Sequence, residues 1–88
     1  MKHHTVALTE VQLAAIGAGR LVRLSTDAGP LTIGNAPTPG VARLWQVEQH
    51  QLRTGHTVET REPALNARLT FLPVTAAHRQ AAGAVASR

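Results

Sequence analysis

The sequence predicts a small α+β domain in which antiparallel β-hairpins carry two or three helices packed on one side. Three observations lead there. Short runs of alternating apolar and polar residues end at turn formers, as at residues 20–26 before Asp27-Ala28-Gly29-Pro30. Helix start signals stand at Thr9 and Thr38. The segments also recur. At an offset of 36, Val11 aligns with Val47, Ile16 with Leu52, Gly19 with Gly55 and Val22 with Val58. At nearly the same offset Leu31-Thr32-Ile33 meets Leu69-Thr70-Phe71. The implied order is αββ-αββ-α. Two units are too few for a solenoid, and helix–glycine–strand is also a junction that unrelated small domains share.

Residues 4–8 alternate as a short strand. Thr9-Glu10-Val11-Gln12 is a capping-box pattern, in which the Thr9 hydroxyl accepts from the Gln12 N–H and the Gln12 side chain reaches back. A helix over 10–17 follows and stops at Gly17-Ala18-Gly19, since glycine accepts the left-handed conformation beyond a helix. A strand over 20–26 returns through 31–33. The breaker-rich loop 34–40 leads to the central stretch, where Thr38 as cap and Pro39 at the first helical position predict a helix over 39–53. Val41, Leu44, Trp45 and Leu52 share an arc of that helix, which puts Trp45 in the core. Val47 falls outside the arc and Glu48 inside it, so a strand in which Val41, Trp45 and Val47 share a face is the alternative. Strands follow at 56–61 and 67–72, the second with Ala67, Leu69 and Phe71 on one face. A last helix is expected over 76–82, and residues 83–88 as a frayed tail beyond a single domain of residues 1–82.

The stretch 13–26 with its return Leu31-Thr32-Ile33 resembles the helix–AG–strand–hairpin of Phd/YefM-type antitoxins, dimeric DNA-binding repressors that mask a toxin with a C-terminal segment. The resemblance covers residues 13–33 only and assigns no functional residues.

A chain of 88 residues leaves much of its surface unburied, and Trp45 and Phe71 are its only aromatics. The core is therefore thin and aliphatic, and a homodimer is the expected state. The chain has no Cys, which excludes disulfides, thiolate nucleophiles and thiolate metal sites and is compatible with the cytoplasm. No apolar run approaches the length of a membrane span, and Met1-Lys2-His3-His4 is followed by alternation rather than by the apolar core of a signal peptide. The net charge is +4, but Lys2 and Arg88 lie at the ends, and between them seven Arg face five acids. That is a sparse footprint for nucleic acid.

Catalytic chemistry has little to use. Ser25 and Ser87 lie in no nucleophile elbow, Glu59 and Glu62 are the closest carboxylates, and the glycines form no phosphate loop. No cofactor is expected. His50 and His56 flank a helix–strand junction without a third ligand, whereas zinc takes three or four. The free amino terminus, Lys2 and His3 have the nitrogen donors of a tetragonal Cu(II) or Ni(II) site, as any chain with His third does. The expected function is therefore that of a small non-enzymatic accessory or inhibitory protein that binds a protein partner. The alternative is a nucleic-acid-binding regulator in which Arg23, Arg43 and Arg68 hold phosphates and Trp45 stacks a base.

Overall fold

The computed structural model describes residues 1–74; the expected helix over 76–82 and the tail 83–88 lie outside them. The described chain is α+β. It runs β1 (Lys2–Val6), α1 (Glu10–Gly17), β2 (Val22–Thr26), β3 (Gly29–Gly34), β4 (Ala42–Arg43), α2 (Gln46–Arg53), β5 (Val58–Glu62), a 3-10 turn (Pro63–Leu65) and β6 (Ala67–Phe71). Two three-stranded sheets form, in the orders β1-β6-β5 and β2-β3-β4.

The local signals act as their chemistry requires. Thr9 Oγ1 accepts from Gln12 N–H at 3.1 Å and Gln12 Oε1 accepts from Thr9 N–H at 2.9 Å, closing the capping box of α1. The Asp27-Ala28 turn joins β2 to β3, with Thr26 opposite Gly29. Pro30 is tolerated inside β3 because β4 pairs only with Ile33 and Gly34, which leaves β3 an open edge at Pro30. In β6 Ala67, Leu69 and Phe71 are all buried, as the alternation predicts.

The recurrence is structural. α1 and α2 span the same positions at an offset of 36, as do β2 and β5. Arg20 N–H donates to Ala15 O and His56 N–H to Gln51 O, each at 2.9 Å. Gly19 and Gly55, at φ 89° and 92°, end the two helices in the same left-handed conformation. The core pairs off in the same way. Val6 and Ala42, Leu8 and Leu44, and Ile16 and Leu52 are buried equivalents, as are Ile33 and Phe71 at an offset of 38.

Hairpins β2-β3 and β5-β6 are antiparallel, as expected, but the sheets are mixed. β1 adds to β6 in parallel, Val6 opposite Phe71, and β4 adds to β3 in parallel, Ala42 opposite Ile33. Each unit thus lends its leading strand to the hairpin of the other. Side-chain bonds join the sheets at both seams. His4 Nδ1 bonds Thr26 Oγ1 between β1 and β2, and Glu62 Oε1 accepts Arg43 N–H at 3.0 Å between β5 and β4. Thr26 and Glu62 are themselves equivalents at the 36-residue offset.

The central stretch departs from expectation. Residues 39–53 are not one helix, because Gly40 takes φ 76° and Ala42 and Leu44 then point inward with the period of a strand. Thr38 caps nothing; Trp45 holds the N-cap position of α2. Trp45 is consequently 52% exposed rather than in the core. The alternative strand face of Val41, Trp45 and Val47 does not form either, since Val47 is already helical and exposed.

Because both helix ends depend on a left-handed glycine, Gly19→Ala and Gly55→Ala should each cost about 1–2 kcal/mol. Thermal melts should show two comparable drops of several degrees. A loss at only one of the two would mean that the helix ends are not equivalent.

Candidate interaction surface around Trp45

Arg43 and Trp45 stand two residues apart in an extended segment, so their side chains leave the same side of the chain. The guanidinium lies over the indole, with Cζ 3.3 Å from the ring centroid. Such a stack contributes about 0.5–1 kcal/mol where it is exposed and holds both groups in one orientation. The Arg43 backbone is anchored by Glu62, and Arg43 Nε is buried without a hydrogen-bond partner among the described residues.

Trp45 occupies the position that Thr9 holds in the first unit. Glu48 Oε1 accepts Trp45 N–H at 2.8 Å, which supplies one half of a capping box. The other half is missing, because an indole N–H is a donor and cannot accept from the helix. α2 therefore forgoes a cap worth about 1 kcal/mol in order to carry an aromatic residue at the surface. Val47, exposed on the first turn of α2, extends the apolar area. On the other side of Arg43 a hollow opens between Pro37, Pro39, Val41 and Ala64, with Glu62 at its wall.

The expected nucleic-acid set is divided. Only Arg43 accompanies Trp45. Arg68 lies on the outer face of the β1-β6-β5 sheet, between Arg61 of β5 and His3 of β1 in register. Arg23, on β2 opposite Thr32, lines a separate hollow with Lys2 and His4. At the amino terminus, Lys2 N–H donates to Asn66 O and the His3 ring bonds Thr70 Oγ1, so a metal taking the Lys2 amide nitrogen would have to displace the strand end. His56 Nδ1 pairs with Thr54 Oγ1 at 3.0 Å, and His50 is exposed. Among the described residues no three His, Asp or Glu side chains are grouped for a metal.

Sequence reasoning missed Glu48, Glu62 and the proline-lined hollow. A usable signal was present: at the 36-residue offset Ala7, Thr9, Gln12 and Thr26 become Arg43, Trp45, Glu48 and Glu62. No family model matches the chain, and no curated protein or solved structure does so either.

Trp45→Thr should restore the missing half of the cap and raise stability by about 1 kcal/mol, read as a higher melting temperature. In the parent protein, tryptophan emission should be solvent-like and readily quenched by acrylamide. Blue-shifted, protected emission, or a strongly destabilised Trp45→Thr, would return the indole to the core.

Proposed function

We propose that this chain is a non-enzymatic protein that acts by binding a protein partner through the surface around Trp45. The observation that carries the reading is the half-exposed indole under the Arg43 guanidinium, at a position where the other unit has a capping threonine. Tryptophan and arginine are the side chains that most often dominate binding energy at protein interfaces. A stacked pair is pre-ordered, so less side-chain freedom is lost on association. The adjoining apolar hollow and Val47 give the anchor a surface to extend over. A second copy of the chain is one such partner, and the thin aliphatic core favours it. The absence of Cys suits a reducing compartment, and we place the protein in the cytoplasm. No helix among the described residues is long and apolar enough to cross a membrane.

Nucleic-acid binding is the second reading, and the aligned His3, Arg68 and Arg61 row favours it. Like charges directly opposite one another destabilise a sheet unless an anion lies across them.

The test compares the parent protein with Trp45→Ala and with Val11→Ser, the latter altering the residue equivalent to Val47. Light scattering reads self-association, and affinity capture followed by titration reads other partners. The expected result is a complex that Trp45→Ala weakens at least thirtyfold while remaining folded, and that Val11→Ser leaves intact. Equal behaviour of all three proteins would refute the proposal. Mobility shift with duplex and single-stranded DNA at low salt checks the second reading, which requires binding that falls steeply as salt rises.

A further inference from the structure

Between the amino-terminal strand and the β2-β3 hairpin lies a hollow that the Trp45 surface does not use. Lys2, His4 and Arg23 line it together with Thr32, while Leu31 and Leu65 form apolar wall, and no carboxylate is among its lining residues. Glu62, which shares the register row of Lys2 across Ala67, is held by Arg43 N–H at the opposite seam.

His4 gives the hollow a fixed polar atom. It is 4% exposed, and its orientation follows from the hydrogens available. Thr26 Oγ1 donates its single hydrogen to Gly29 O at 2.8 Å and accepts from Ala28 N–H at 3.1 Å. The remaining bond must then run from His4 Nδ1–H to Thr26 Oγ1. That leaves Nε2 as the ring's free polar atom, without a hydrogen-bond partner among the described residues. On the neutral ring Nε2 accepts a hydrogen bond, which a protonated phosphate oxygen can donate.

His4 serves the fold through its bond to Thr26, whereas the charges of Lys2 and Arg23 are not required by the hairpin. The residues equivalent to Lys2, His4 and Arg23 in the second unit are Thr38, Gly40 and Glu59, and that unit forms its hairpin without them. Two full cations, an imidazole and a hydroxyl exceed what a single carboxylate would occupy, but they match the charge and several oxygens of a phosphoryl group.

We propose that the Lys2–His4–Arg23 hollow is a binding site for a phosphate group, carried either by the free ion or by a small phosphate ester whose organic part rests on Leu31 and Leu65. The site is independent of the Trp45 surface, and its success or failure leaves the partner-binding reading untouched.

The test is an amide-resolved NMR titration of the full chain with inorganic phosphate, at constant ionic strength against chloride. Saturable shifts should centre on residues 2–4, 23 and 32, with a change at the His4 ring nitrogens. Arg23→Gln, altering an exposed side chain on a strand, should weaken binding about tenfold, the loss of one charge-assisted bond. Lys2→Gln should weaken it similarly, and Arg53→Gln on α2 should leave it unchanged. A parallel titration with phenyl phosphate separates the sources. Tighter binding than inorganic phosphate assigns the site to an ester, and weaker binding assigns it to the free ion. Non-saturating shifts, equal weakening by Arg53→Gln, or acetate binding as tightly as phosphate would overturn the proposal.

Discussion

Neither hairpin of this protein has a third strand of its own. Two-stranded ribbons are marginal in water, so each hairpin depends on a strand from the other unit. β1 supplies five residues to β6 and β4 supplies two to β3. This exchange makes the fold a single cooperative object. Removing either leading strand exposes an edge of the sheet built on the other unit, together with the buried Val6 and Leu8 or Ala42 and Leu44. The two ladders are unequal, and the shorter one is reached by the loop over 35–41. That loop is short for a parallel connection, and it suffices because β4 is only two residues long.

Unequal seams follow from unequal sequences. The first unit closes its contact with a buried imidazole and a threonine hydroxyl, and the second closes its own with a carboxylate reaching a backbone N–H. Between α1 and α2 the same divergence appears at Leu13 and Gln49. Gln49 is 2% exposed and satisfies its amide by donating from Nε2 to Leu44 O at 2.9 Å. Its Oε1 would lie 3.2 Å from a Cβ placed at Gly17, so glycine there lets the helices approach. A polar side chain can replace leucine at such a position only because a carbonyl at the end of β4 is in reach.

The features that point toward binding lie where the two units differ. Arg43, Trp45, Glu48 and Glu62 gather around the short strand β4, while of their equivalents Thr9 and Gln12 cap α1 and Thr26 joins β2 to β1 through His4. The basic side chains of the hollow at Lys2, His4 and Arg23 come from the first unit in the same one-sided way, while Gly40 and Leu65 of the second unit complete its lining. The core pairs of the two units are similar because both fill one interior, whereas their surface positions are free to differ.

How much of this was legible in the sequence depends on the range of the interaction responsible. Thr9 with Gln12, the Asp27-Ala28 turn, the glycines that stop the helices and the alternation of Ala67, Leu69 and Phe71 act within a few residues, and each marks its element in the sequence. The 36-residue recurrence was legible too, since equivalent positions bear similar loads. The parallel pairing of β1 with β6 was not, because nothing local to Lys2–Val6 specifies a partner 65 residues away. The same reason misplaced Trp45. A threonine–proline start signal and an apolar arc describe a helix over 39–53 equally well until β3 offers Ala42 and Arg43 a ladder. Once that ladder forms, Leu44 turns inward, the helix begins one residue after Trp45, and the indole is left at the surface. Sequence by itself determined the cap of α1, the glycines that end both helices, the hairpins and the 36-residue recurrence. Tertiary structure decided which strands exchange and which large side chain remains exposed, because those outcomes rest on hydrogen bonds between segments far apart in the chain.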